Sequence, residues 1–209
     1  MHFFQSQLYA DHYNLLRLLK LLDDEVACYQ DDLGNHARLD VILSIFDYVQ
    51  TYPEKWHHPI ENAAFELLLV KQVPHSDQIW SLKSEHKKLE KLTREANQLF
   101  NNVANDIIVS ADELVKTTRE FIHRQREHIA IENKLIYPLL EKYISDQEWE
   151  EMADSIKERK NAPTEYPHAK AVENKIEYQD LLRVILKTEY GNALGAAARG
   201  ISVPRRITV

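Results

Sequence analysis

The sequence predicts an all-α fold: an up-down-up-down four-helix bundle with additional C-terminal helices. Three observations predict it. Glycine is scarce, with 4 in 209 residues and none between Gly34 and Gly191. A β-rich domain with many tight turns needs more. Apolar residues recur at steps of three and four along four long stretches, the period of one helix face. Those stretches are of comparable length and are joined by short connections, as antiparallel neighbours in a bundle are.

Each element follows from its spacing. Leu8, His12, Leu15, Leu19, Leu22 and Val26 form the first stripe, on a helix ending near Asp31 before a Gly34-Asn35 turn. The second helix runs from about His36 to Gln72, through Ile42, Phe46, Val49, Glu61, Ala64 and Leu68. Pro53 and Pro59 should kink or break it. Pro74 and a cap at Ser76 separate it from the third, which steps through Ile79, Leu82, His86, Leu89, Thr93, Ala96, Phe100 and Val103. Ser110 with Glu113 reads as a capping box that opens the fourth. Its stripe is Leu114, Phe121, His128, Glu132, Leu135 and Leu139, and Pro138 should bend its end. Ser145 with Glu148 opens a short helix to about Lys160, residues 161–167 link, and 170–187 are helical again. The expected organisation is a bundle over 1–145, accessory helices over 146–190 and a flexible tail over 191–209. The alternative for the basic tail is an arm that grips a second subunit, so a homo-oligomer formed through the C-terminal region stays open.

Composition narrows the function. With 44% hydrophobic and 28% charged residues, the chain can bury a sizeable core. No stretch free of Asp, Glu, Lys and Arg exceeds ten residues, so no membrane-spanning helix is expected. The N-terminal residues carry no secretory signal pattern, and a cytoplasmic chain fits. One cysteine, Cys28, excludes an internal disulfide framework and Cys-rich metal sites. The net charge of −7 argues against nucleic acid as a partner. Ten histidines need an explanation.

Six polar residues sit on the apolar stripes: His12, His57, Glu61, His86, His128 and Glu132. Burying such groups unpaired is costly. Counting residues from each to its connecting turn, at about 1.5 Å of rise per residue, places all six at one height to roughly one turn. His57 with Glu61 and His128 with Glu132 are four apart, so each pair projects from one helix face. Four imidazoles and two carboxylates suit a pair of transition-metal ions, with the carboxylates bridging and the histidines terminal. The competing reading is a set of core histidines satisfied by carboxylates without metal. A ferritin-like scheme would use Glu54 with His57 and Glu120 with His123, but Glu120 and His123 fall on the outer face. It also leaves His12, His86 and His128 without a role. No His-Glu-x-x-His motif supports a zinc protease. His2, His36, His75 and His168 lie at predicted ends or loops.

The segments Asp11-His12, Tyr52-Pro-Glu-Lys-Trp-His-His-Pro-Ile-Glu61, Glu85-His86 and His128-Ile-Ala-Ile-Glu-Asn-Lys-Leu-Ile-Tyr-Pro138 resemble the hemerythrin-like, or HHE cation-binding, family over residues 5–145. The resemblance implies a four-helix bundle holding a non-haem di-iron centre that binds oxygen or related small ligands. It carries His12, His57, Glu61, His86, His128 and Glu132 across as ligands of two iron ions. Manganese and zinc also suit imidazole-plus-carboxylate donors. The family's oxygen carriers place two histidines four apart on the third helix, whereas here Glu90 follows His86. Either Glu90 ligates or that ion has an open position, which counts against reversible oxygen carriage. His58 is either a further terminal ligand or a partner of one. The function expected is binding or sensing of O2, NO or peroxide in an apolar pocket near Leu89 and Leu135. The alternatives are an enzyme that turns over peroxide or NO, and an iron store.

Overall fold

The computed structural model of the chain describes residues 2–30 and 37–158. No strand occurs among them. Helix α1 spans Phe3–Ala27 and closes in a 3-10 turn, Cys28–Gln30. Helix α2 spans Leu39–Thr51 and α3 spans His58–Val70. Helix α4 is Ser76–Ala104 and α5 is Ala111–Ile131. Helix α6 is Tyr137–Tyr143 and α7 is Asp146–Glu158. The first helix packs on α2, α2 and α3 pack on α4, α4 on α5, and α5 back on α1. That circuit is the expected bundle, with α2 and α3 sharing one corner. Helices α6 and α7 pack on α3. The Gly34-Asn35 turn, the helix over 170–187 and the tail lie outside the described residues.

Proline sets both interruptions. Pro59 cannot donate to the carbonyl four residues back, and its ring would clash there. The chain answers with a π-helical turn, Pro53–His57, in which the His58 N–H reaches the Pro53 carbonyl. A second π turn, Glu132–Ile136, stands in the same relation to Pro138, with the Tyr137 N–H on the Glu132 carbonyl. A π turn inserts one residue, so it shifts the stripe by one position. Leu135 and Leu139, expected in the core, are therefore only partly buried, and Ile136, Tyr137 and Leu140 take their places.

Two caps also differ from the sequence reading. Ser76 is the first helical residue rather than the cap. The cap is His75, in the left-handed region at φ 67°, and Ser76 Oγ donates to the Val73 carbonyl at 2.8 Å. Ser110 holds the cap position of α5 without a side-chain cap bond. The Ser145–Glu148 box forms: Glu148 Oε2 accepts from the Ser145 backbone N–H at 2.9 Å, and Ser145 Oγ accepts from the Glu148 N–H at 3.3 Å.

Apolar packing brackets one polar layer. At one end Leu8, Phe65, Leu68, Ile79, Leu82, Leu140 and Trp149 pack together. At the other, Phe46 lies 5.7 Å from Phe100 and 5.6 Å from Phe121, ring centre to ring centre. The layer between is fixed in depth by both.

Candidate metal centre

Four bundle corners each deliver part of that layer. His12 comes from α1, His57 and Glu61 from the π turn and α3, His86 from α4, and His128 and Glu132 from the end of α5. All six are between 0% and 3% exposed, so water does not satisfy them. The structure brings together every residue of the six read from the sequence.

The two carboxylates divide their oxygens between two sides. Glu61 Oε1 lies 3.2 Å from His57 Nε2 and 3.5 Å from His12 Nε2, while its Oε2 lies 3.4 Å from His86 Nε2. Glu132 Oε2 lies 3.3 Å from His12 Nε2, while its Oε1 lies 2.9 Å from His128 Nε2 and 3.5 Å from His86 Nε2. Donor atoms of His12, His57 and Glu61 fall within 4.8 Å of one another, as do those of Glu61, His86, His128 and Glu132.

Internal hydrogen bonding does not satisfy this cluster. Glu61 Oε2, His86 Nε2, His128 Nε2 and both Glu132 oxygens are buried without a hydrogen-bond partner. Several stand at ion-pair distance, but their angles are wrong for a hydrogen bond. His12 Nε2 and His57 Nε2 face each other at 3.1 Å. Two N–H groups cannot point at each other there, whereas two lone pairs can converge on one cation. The donor set therefore fits bound metal ions better than a self-satisfied core.

The outward nitrogen of every imidazole is held. His57 Nδ1 meets Asp11 Oδ2 at 3.1 Å, and His86 Nδ1 meets Asn62 Oδ1 at 3.1 Å. His128 Nδ1 meets Glu85 Oε2 at 3.2 Å, and His12 Nδ1 meets Asn133 Oδ1 at 2.9 Å. An oxygen acceptor on Nδ1 fixes the proton there and turns the Nε2 lone pair inward. These four acceptors form a closed circuit round the bundle: α1 to the π turn before α3, α3 to α4, α4 to α5, and the turn after α5 back to α1. Each sits one residue from a member of the six. Neighbouring residues on a helix point about 100° apart, so each reaches the next corner. On α1 and α4 it is the preceding residue, and on the two antiparallel corners the following one, because reversing a helix reverses that sense. Sequence reading missed these four roles. Their signal was adjacency to the six, which is visible only once the order of corners is known.

Tyr137 is a further residue not foreseen. The second π turn swings it inward, fully buried, with Oη donating to Glu61 Oε1 at 2.5 Å and 3.0 Å from His12 Nε2. Burial, then Glu61 and Glu132, push its pKa well above the ordinary phenol value, so it stays a proton donor. Burial pushes Glu61 and Glu132 upward, but the histidines facing them outweigh it and hold both well below the usual carboxylate range. Burial pulls His128 down, but Glu132, Glu85 and Glu61 outweigh it and raise it to about 10. His12 and His57 are both raised by their carboxylates against burial. With their Nε2 atoms 3.1 Å apart, the charge on His57 opposes protonation of His12.

His58 and Glu90 stand beside the six, not among them. His58 stacks flat on His86, ring centres 4.2 Å apart. Its Nδ1 is 4.0 Å from Glu90 Oε1. His123 is exposed and pairs only with Glu127, which leaves the ferritin-like scheme without one of its ligands. The cleft that contains Leu89, of roughly 330 Å³, is rimmed by Glu85, Lys88, Arg124 and Glu127 and does not include Leu135. It is a surface groove between α4 and α5 with a charged rim over Leu89, Ala130 and Ile131, and it does not reach the expected position beside Leu135.

The model of the hemerythrin HHE cation binding domain matches residues 4–140. The chain belongs to the hemerythrin HHE cation-binding family. The match spans α1 through most of α6, so all six converging residues of this HHE domain fall inside it. No curated protein matches the chain. Family and buried cluster together make this a metal-binding protein.

Proposed function

We propose that this HHE protein holds two iron ions and binds O2, NO or peroxide at them, in a binding or sensing role. The reading rests on the division of oxygens: each carboxylate turns one oxygen to His12 and His57 or to His12 alone, and the other to the His86 and His128 side. Glu61 and Glu132 would bridge the ions. His12 and His57 would terminate one, and His86 and His128 the other. Two imidazoles and two bridging oxygens give each ion about four protein donors, which leaves iron positions for water or a small ligand. Manganese and zinc suit the same donors. We assign the metal domain to residues 1–145, accessory helices to 146–190 and a tail to 191–209, and place the chain in the cytoplasm on its single cysteine.

A second reading, turnover of peroxide or NO, is favoured by Tyr137, a buried phenol that holds a proton within reach of the pair. Iron storage uses the same residues with no small ligand. Bound iron would supply the redox and Lewis-acid chemistry. The six residues of this chain would hold it, and the Nδ1 acceptors orient the imidazoles toward it. The deciding measurement is metal content with the visible spectrum of iron-loaded protein, before and after azide, NO, O2 and peroxide. Spectral shifts with stoichiometric ligand support binding. Catalytic loss of peroxide or NO moves the reading to an enzyme. No shift with any of them leaves storage.

A further inference from the structure

His12 Nε2 has more polar neighbours than hydrogen bonding can use. Tyr137 Oη lies 3.0 Å from it, His57 Nε2 3.1 Å, Glu132 Oε2 3.3 Å and Glu61 Oε1 3.5 Å. An imidazole nitrogen makes one hydrogen bond, along its single N–H or lone pair. With its proton on Nδ1, held by Asn133 Oδ1 at 2.9 Å, the ring turns one lone pair toward all four. The spacing is that of ligands around one ion. Nitrogen and oxygen donors about 2.1 Å from a shared metal stand about 3.0 Å apart at a right angle and about 3.4 Å apart at the tetrahedral angle.

Three of the four neighbours are imidazole or carboxylate donors already placed round the pair. The fourth is a phenol. It donates to Glu61 Oε1 at 2.5 Å, which uses its one proton and leaves the approach to His12 unexplained. Its ring is fixed: fully buried, stacked 8° from parallel on His12 and edge-on to Tyr9, each at 4.8 Å between ring centres. Oη lies on the axis of the ring, so turning the ring leaves the oxygen in place. The two sides of the pair also differ in supply. Donor atoms of four residues converge within 4.8 Å on the His86 side, but of only three, His12, His57 and Glu61, on the other. Tyr137 Oη stands beside two of those three.

We propose that Tyr137 is a ligand of the ion held by His12 and His57, bound through its phenolate oxygen. On loading, the O–H bond breaks, the bond from oxygen to metal forms and the proton leaves to solvent, a displacement that a coordinated cation drives. Glu61 Oε1 exchanges the phenol proton for the ion. The proposal rests on the two-ion reading above and makes the two ions unlike. The added anionic donor stabilises the higher charge state of the His12 ion and leaves the more open coordination to the His86 side.

Metal analysis, visible absorbance and resonance Raman of the ferric-loaded full-length chain test it. The expected result is two ions per chain and an intense phenolate-to-iron band that enhances tyrosine ring modes, which ring-deuterated tyrosine shifts. Tyr137→Phe removes only Oη and keeps the ring packed. It should abolish those modes and weaken one ion about tenfold or more while sparing the other. Tyr9→Phe and Tyr52→Phe remove neighbouring phenols that bond to Glu141 and Asp11, and both should keep the modes. Two ions without tyrosine modes in the wild type would overturn the proposal and leave the pair standing. So would modes that survive Tyr137→Phe. If Tyr137→Phe holds no iron, the other two variants decide: modes kept in both uphold Tyr137 as the ligand, and modes lost in either overturn it. One ion with tyrosine modes fails the two-ion reading but keeps Tyr137 as a ligand. Fewer than two ions without the modes fails both.

Discussion

Among the described acidic residues Glu61 and Glu132 are the ones fully buried, each facing imidazoles, with a phenol added on Glu61. A residue that serves both ions cannot be removed for one alone. Glu61→Ala and Glu132→Ala should each reduce bound metal from two ions to none, by metal analysis of the purified protein. His12→Ala should weaken one ion more than the other. His123→Ala, on the exposed face of α5, should leave the content at two. A Glu132→Ala protein that retains both ions would defeat the bridging assignment. Glu54 yields a separate test in the metal-free protein. Burial first, then Glu90, raise its pKa to about 7 from the ordinary 4.5. A native pKa above the unfolded one means the stabilisation is complete below the unfolded value and is lost as pH rises through 7. Glu54→Gln cannot ionise. It should melt higher than the wild type at pH 8 and no higher at pH 5, by differential scanning calorimetry. Equal melting temperatures at pH 8 would refute the shift.

The helices show what spacing can and cannot deliver. All six members of the first stripe are buried, as are the seven positions read on α4 from Ile79 to Phe100, and only Val103 at its end is partly exposed. Periodicity sees those because nothing interrupts the 3.6-residue repeat between caps. It fails after Glu132, where the π turn adds a residue: Leu135 and Leu139 keep the sequence rhythm but lose the core to Ile136, Tyr137 and Leu140. Proline announces an interruption without saying whether it is a break, a kink or a widened turn. For the same reason the six metal-layer residues were legible and Tyr137 was not. The four Nδ1 acceptors were hidden differently, since only the order of corners makes a neighbour in sequence into a partner across the bundle. The π turn makes a prediction of its own. Deleting exposed Lys134 removes the extra residue and rotates α6 by about 100° relative to α5, taking Tyr137 and Leu140 out of the core. The deletion should cost several kcal/mol, while Lys134→Ala should stay within about 0.5 kcal/mol of the wild type. Comparable denaturation midpoints for the two would mean that the turn is incidental to packing.

Across the whole bundle, the polar layer is held by protons when metal is absent and by metal when it is present, and pH separates the two. The metal-free layer is a set of ion pairs. The raised pKa values of His12, His57, His86 and His128 contribute stability that is complete below about 6.5 and is lost as pH rises through the native values, about 10 for His128. The lowered values of Glu61 and Glu132 contribute stability that is present above about 4.5 and is lost as pH falls through the native values. Between those limits the metal-free bundle should stay folded. Metal binding needs the imidazole nitrogens free of protons, so the ions compete with those same raised pKa values and win progressively as pH rises. An ion at a hundred times its dissociation constant adds about 2.7 kcal/mol, and a domain of this size gains roughly 2–4 °C per kcal/mol. Chelation at neutral pH should therefore lower the melting temperature by roughly 5–10 °C for each ion removed. That gap should widen from pH 6 to pH 8, since proton competition for the imidazoles weakens while the metal-free ion pairs lose stability above about 6.5. Melting curves of loaded and chelator-treated protein at pH 6, 7 and 8 measure it directly. A gap of zero after verified metal removal would return the layer to a self-satisfied core. A gap that narrows toward pH 8 would mean that the imidazoles are not the groups from which the ions displace protons.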